Sequence, residues 1–145
     1  MIVVDSSALV LFLTDRGSRG AAARRRIGEE DLLGAPCLLD TEITSALLGL
    51  ARGSKIDPAS LDEHFKTYQG LRVQRHETGP LLPRIRKLYA DLSAYDAAYV
   101  ALAEALDVPL LTADVRIERG VQKPRCHIEV ITANSEGRCS RRAPA

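Results

Sequence analysis

The chain opens on three consecutive apolar residues, Ile2-Val3-Val4, and then reaches a carboxylate, Asp5. A short β-branched run bounded by polar residues reads as a buried strand. Ser6 or Ser7 offers an N-cap for the apolar stretch 8–13, which reads as a helix. Residues 17–27 read as a second helix, alanine-rich on one side, with Arg24, Arg25 and Arg26 following. Residues 31–35 form a brief strand that Pro36 ends. In the next helix, about 40–52, Ile43, Ala46, Leu47 and Leu50 recur at i, i+3, i+4 and i+7, and Gly53 is a natural C′ residue. Asp57-Pro58 starts another, with Asp as N-cap, Pro at N1, and Leu61, Phe65 and Tyr68 as its buried stripe. Residues 71–74 read as an edge strand, and 80–92 as a helix through Leu81, Ile85, Leu88 and Leu92.

Ser93 to Leu106 is apolar nearly all round, the pattern of a helix buried on several sides. A strand at 108–111, a short helical turn at 114–119 and a last strand at 128–131 follow. Residues 133–145 are polar and Arg-rich and predict a disordered tail, leaving one domain over 1–132. Strands that alternate with helices imply an α/β domain: a mostly parallel sheet of four to five strands covered on both faces, in three layers. Ligands in such sheets bind beyond the carboxyl ends of the strands, where strand order reverses.

That rule gives four acids a meaning. Asp5 and Asp114 lie just beyond two strands, and Glu42 and Asp96 fall in the first turns of two helices. Each also has a structural reading. Asp5 and Asp114 suit strand-to-helix turns, Glu42 complements a helix dipole, and Ser93-x-x-Asp96 fits a capping-box spacing. Gathered together, however, each like-charged pair costs about 4 kcal/mol at about 4 Å and an effective dielectric of ~20. A divalent cation removes that cost, and oxygen-only ligands favour Mg²⁺ or Mn²⁺ over zinc. Ser6, Ser7 and Thr112 are placed to orient these carboxylates, or simply to cap.

Composition narrows the function. Hydrophobic content of 46% and charged content of 27% are those of a soluble globular domain. Aromatics at 4%, with no Trp, exclude base stacking as the main mode of nucleic-acid recognition. The net charge is +1, and the tail's three arginines against one glutamate leave the rest of the chain at about −1. Any attraction for a polyanion therefore comes from local patches. Arg24-Arg25-Arg26 and Arg84-Arg86-Lys87 are candidates that read equally as solvated helix faces, whereas Arg116 lies next to a candidate acid. Three cysteines without CxxC spacing point away from a disulfide framework or a zinc site and towards reduced thiols in the cytoplasm. No stretch reaches the ~18 apolar residues of a membrane span.

The stretches Ile2-Val3-Val4-Asp5-Ser6-Ser7-Ala8-Leu9, Glu42 in its helix, Tyr95-Asp96-Ala97-Ala98-Tyr99-Val100-Ala101-Leu102-Ala103 and Leu111-Thr112-Ala113-Asp114 resemble a PIN-domain ribonuclease. More narrowly, they resemble the toxin half of bacterial VapBC toxin–antitoxin pairs. The likeness covers residues 1 to about 131. Its most specific part is the Asp96 segment joined to Thr-x-Asp about 16 residues later.

The resemblance implies a PIN-like fold and a metal-dependent endoribonuclease, with Asp5, Glu42, Asp96 and Asp114 as acidic metal-binding residues. It also implies a cognate antitoxin and a homodimer. Where many members carry a further acid, this chain has Ile117 and Glu118. Two other readings stay open: a phosphoacceptor signalling domain, and a PIN domain that binds RNA or protein without cleaving. The first wants an acid pair after the first strand, but Ser6 follows Asp5. Retention of all four acids weighs against the second.

Overall fold

The computed structural model describes residues 1–133. Five strands form one sheet: β1 (Ile2–Val4), β2 (Leu33–Pro36), β3 (Val73–His76), β4 (Leu110–Thr112) and β5 (Ile128–Val130). All neighbours pair in parallel, in the order β3-β2-β1-β4-β5. Seven helices among the described residues cover it: α1 (Ser6–Thr14), α2 (Ser18–Gly28), α3 (Leu39–Arg52), α4 (Leu61–Gln69), α5 (Leu82–Leu88), α6 (Ala94–Leu106) and α7 (Val115–Gly120). The three-layer α/β/α architecture expected from the alternation is the one observed.

β1 is the central strand, and Ile2, Val3 and Val4 are wholly buried, which explains its uninterrupted β-branched run. α1 packs on α2, α3 and α4, while α6 lies across β1, β2 and β4 and packs on α5. Every residue of α6 from Ala97 to Ala103 is buried. A fully buried Leu or Ile contributes about 1.5–3 kcal/mol, and Leu9, Leu39, Ile43 and Leu47 join β1 and α6 in one core.

Local chemistry adjusted several boundaries. The helix expected over 80–92 is a 3₁₀ turn (Gly79–Leu81) followed by α5, which ends at Leu88. Pro83 lacks an N–H and clashes with a carbonyl one turn back, so it is accommodated only in a helix's first turn. β4 starts at Leu110 because Pro109 has no N–H for the ladder, although its carbonyl accepts from Val3 N–H at 2.9 Å. Gly53 has φ −82°, and the left-handed residue after α3 is Ser54. The N-cap of α1 is Asp5, with Ser6 and Ser7 already helical, because the Asp5 carboxylate reaches Ala8 N–H. Of the disordered tail expected over 133–145, residues 134–145 lie outside the described residues.

The chain winds from β1 through β2 to β3 on one side, then returns to add β4 and β5 on the other. The order therefore reverses between β1 and β4, and the crevice beyond their carboxyl ends is the fold's natural ligand position. Asp5 follows β1, and Thr112 ends β4.

Candidate active site

Asp5 is buried, at 3% exposure, and three hydrogen bonds hold it. Its Oδ1 accepts from Ser7 Oγ at 2.7 Å and from Ala8 N–H at 2.9 Å, and its Oδ2 accepts from Thr112 Oγ1 at 2.5 Å. Thr112, fully buried, also accepts from Asp114 N–H at 3.0 Å. Ser7 accepts from Ala113 N–H at 2.9 Å. Two hydroxyls thus tie the end of β1 to the turn after β4, across more than a hundred residues of sequence. Burial pushes the Asp5 carboxyl up to about 6, against the pull of Thr112, Ala8 and Ser7, and the Asp96 charge adds to the rise.

Glu42 is set by α3, and its Oε2 accepts from Tyr99 Oη at 2.5 Å. Tyr99 stands one turn after Asp96 on α6 and is 1% exposed. Burial raises the Glu42 carboxyl, the phenol opposes that, and the Asp96 charge raises it again, with a lowering contribution from the Ser6 hydroxyl. Asp96 sits in the first turn of α6, where Ser93 Oγ caps the helix by accepting from Asp96 N–H at 3.1 Å. Its carboxyl is raised by burial and then by Asp114, with Ser93 opposing. Asp96 is thus the electrostatic hub: its charge is felt by Asp5 and Glu42, and it feels Asp114.

Asp114 caps α7 by accepting from Arg116 N–H at 2.9 Å. The Arg116 guanidinium closes on the same carboxylate, with Nη2 at 2.7 Å, and holds it below the usual range. Ile117, 1% exposed, belongs to the core, and Glu118 is exposed.

The four acids are therefore one electrostatic unit but not a finished cage. Among the described residues, no three His, Cys, Asp or Glu side chains stand close enough, as placed, to ligate one ion. Glu42 is turned to Tyr99, and Asp114 to Arg116. The donor chemistry nevertheless fits a hard divalent cation: every donor is an oxygen, and three of the carboxyls are raised by burial and neighbouring charge.

Half of the cations in the basic runs noted in the sequence are committed elsewhere. Arg24 donates to the carbonyls of Phe12 and Asp15, at 3.1 and 2.8 Å. Arg26 bonds Glu129 and Glu30, and Arg84 bonds Glu104, whose side chain is 5% exposed. Tyr99 escaped the sequence reading because a tyrosine in an alanine-rich apolar helix looks like core. The available signal was its place three residues after Asp96, with a buried hydroxyl that needs a partner.

Residues 2–121 match the PIN domain family. Ribonuclease VapC9 of Mycobacterium tuberculosis is 42% identical over 131 residues, covering 90% of this chain and 98% of that protein. Ribonuclease VapC1 of the same organism is 35% identical over 130 residues, covering 89% and 96%. Among solved structures, PAE2754 from Pyrobaculum aerophilum superposes with a TM-score of 0.65 at 24% identity, covering 89% of this chain and 83% of that one. The sarcin-ricin loop cleaving toxin VapC20 of M. tuberculosis superposes with a TM-score of 0.61 at 12% identity, covering 82% and 94%. At those identities the superpositions speak to the fold, and the family match with the 42% relative speaks to descent. On the family match and the 42% relative together, the chain belongs to the PIN-domain family and, within it, to the VapC group.

Proposed function

We propose that this protein is a toxin-type endoribonuclease that hydrolyses RNA phosphodiester bonds with Mg²⁺ or Mn²⁺, leaving 5′-phosphate and 3′-hydroxyl ends. The reading is supported by Asp5 lying at the switch point between β1 and β4 and by the charge coupling of Asp96 with Asp5, Glu42 and Asp114. The ribonuclease relatives, matched over nearly their full length, support the reaction type.

In this reading the four carboxylates hold the cation. When bound, it supplies the Lewis acidity that makes a water nucleophilic and stabilises charge on the leaving oxygen. The chain's own residues position the ligands. Ser7, Ala8 N–H and Thr112 fix both oxygens of Asp5, so that it enters the site in one orientation. Tyr99 orients Glu42 through its Oε2. Ser6 and Ser93 contribute hydroxyls to Glu42 and Asp96. Arg116 neutralises Asp114 in the metal-free protein and is a candidate RNA phosphate contact once released from it. No histidine is required as base.

The partners follow from the same reading: an RNA substrate, a cognate antitoxin that occludes the site, and a second copy of the chain in a homodimer. The protein acts in the cytoplasm; among the described residues no helix is long and apolar enough to cross a membrane. To test the activity, purified chain free of partner is incubated with structured RNA, first with chelator and then with Mg²⁺ or Mn²⁺ restored. Cleavage should stop and resume, with 5′-phosphate ends on the products. Cleavage that persists in chelator would remove the metal from the mechanism.

A further inference from the structure

The carboxylate cluster repels the polyanion it is meant to cut, and the net charge of +1 supplies no bulk attraction. Cations close to the site must compensate. Of the arginines that could do so, Arg24, Arg26 and Arg84 are spent on structural bonds, and Arg116 is spent on Asp114.

Arg19 is different. It lies at the start of α2, exposed, and donates from Nη2 to the carbonyl of Ala113 at 3.1 Å. Ala113 immediately precedes Asp114, and its own N–H is held by Ser7. The contact places the guanidinium at the turn between β4 and Asp114, although 94 residues separate the two positions. The acceptor is neutral, so the charge is not cancelled there. Among the described residues no carboxylate stands within ion-pair distance of Arg19. Asp15, the acid that feels its charge, is occupied by the N–H groups of Gly17 and Gly20.

The corner that presents Arg19 is closely packed. A Cβ on Gly20 would meet the Asp15 carbonyl oxygen at 1.9 Å, so α2 starts in close backbone contact with the end of α1. Arg24 clamps the carbonyls of Phe12 and Asp15 from the other side. We infer that Arg19 forms a phosphate-binding subsite beside the Asp114 edge of the cluster and contacts the RNA backbone next to the scissile bond. This inference rests on the ribonuclease reading above.

The rival role is bracing of the β4–α7 turn through Ala113, and affinity separates the two. Binding of a short, labelled, mixed-sequence single-stranded RNA is measured by anisotropy against salt, using the full chain with Asp96→Asn to prevent cleavage. Arg19→Ala should weaken binding about fivefold or more. It should also reduce the slope of log affinity against log salt by about 0.7, the value for one phosphate contact to a single strand. Arg19→Lys should keep the slope and recover part of the affinity. Thermal midpoints should stay within a degree or so of the parent. An unchanged slope in Arg19→Ala, or a fall in the midpoint without loss of affinity, would overturn the subsite alone. A parent that binds no RNA at any salt would overturn the ribonuclease reading and take the subsite with it.

Discussion

Asp5 and Asp114 begin as equivalents. Each follows a parallel strand, caps the next helix and accepts a backbone N–H within its own turn. Their environments then drive them in opposite directions. Asp5 is buried among hydroxyls with no cation beside it, and its carboxyl rises to about 6. Asp114 lies nearer solvent under a guanidinium, and its carboxyl falls. Position in the fold thus gives one residue type two characters: a rigid, uncompensated carboxylate just after β1 and an adjustable, already neutralised one after β4.

The largest effect should come from removing the charge on the rigid side. Asp5→Asn, or Asp96→Asn at the hub, should lower cleavage by more than about 100-fold, beyond the range that loss of a supporting partner alone produces. Asp114→Asn should lower it less. Rates for the purified variants on one RNA substrate at saturating Mg²⁺ decide the order. Asp5→Asn as active as the parent would end the assignment, and Asp114→Asn as damaging as Asp5→Asn would erase the asymmetry.

Next is the clamp on Glu42. In Tyr99→Phe the buried ring is retained and one hydroxyl is lost, so the core should hold while Glu42 loses its only bond to α6. Supporting hydrogen bonds of this kind are worth about 10–100-fold in metal affinity. Mn²⁺ titration by electron paramagnetic resonance reads this without any turnover. Unchanged affinity would reduce Tyr99 to a packing residue.

A third test concerns stability in chelator. Asp5 has its folded-state carboxyl raised from 3.8 to about 6, so ionising it costs the folded protein. The cost is absent below about 3.8, builds between 3.8 and about 6, and is complete above. At 1.36 kcal/mol per unit it amounts to about 3 kcal/mol at pH 7. Asp5→Asn should therefore stabilise the metal-free protein by about 1–3 kcal/mol at pH 7, and the gain should vanish towards pH 4. The network can absorb the change: Thr112 Oγ1 then accepts from the new amide and turns its proton to Ser7, 3.2 Å away. Thermal or urea unfolding across that pH range, with chelator present, reads the difference. A metal-free variant less stable than the parent at pH 7 would mean that capping of α1 outweighs the buried charge.

How much of this was legible from sequence depended on whether a feature is local. The buried strand at Ile2–Val4, the all-round apolar α6 and the positions of the four acids are written in short periods and neighbouring residues. So was the order reversal's consequence, once strands and helices were seen to alternate. What escaped depends on partners far away in sequence. Tyr99 reaches Glu42 across 57 residues, and Arg19 reaches Ala113 across 94. Arg26 and Arg84 read as free cations until Glu129 and Glu104 arrive from other elements. The split at Pro83 is a failure of another kind, since apolar spacing carried the helix through a residue whose backbone chemistry forbids it.

The smallest effect falls on the adjustable side and has an unusual sign. In the metal-free protein Arg116 occupies the Asp114 carboxylate through Nε and Nη2, while its own side chain is 85% exposed. A cation that uses Asp114 must displace that guanidinium and tolerate its charge nearby, and both effects oppose binding. Arg116→Ala should therefore tighten Mn²⁺ binding, by a factor of about 2–5, the range an exposed ion pair supports. The gain should shrink as salt rises, because exposed charges are screened within about 8–10 Å at physiological ionic strength. The same variant should bind RNA less well, so metal and RNA affinities move in opposite directions. Parallel weakening of both would show that Arg116 supports the site as a whole rather than competing for one of its ligands.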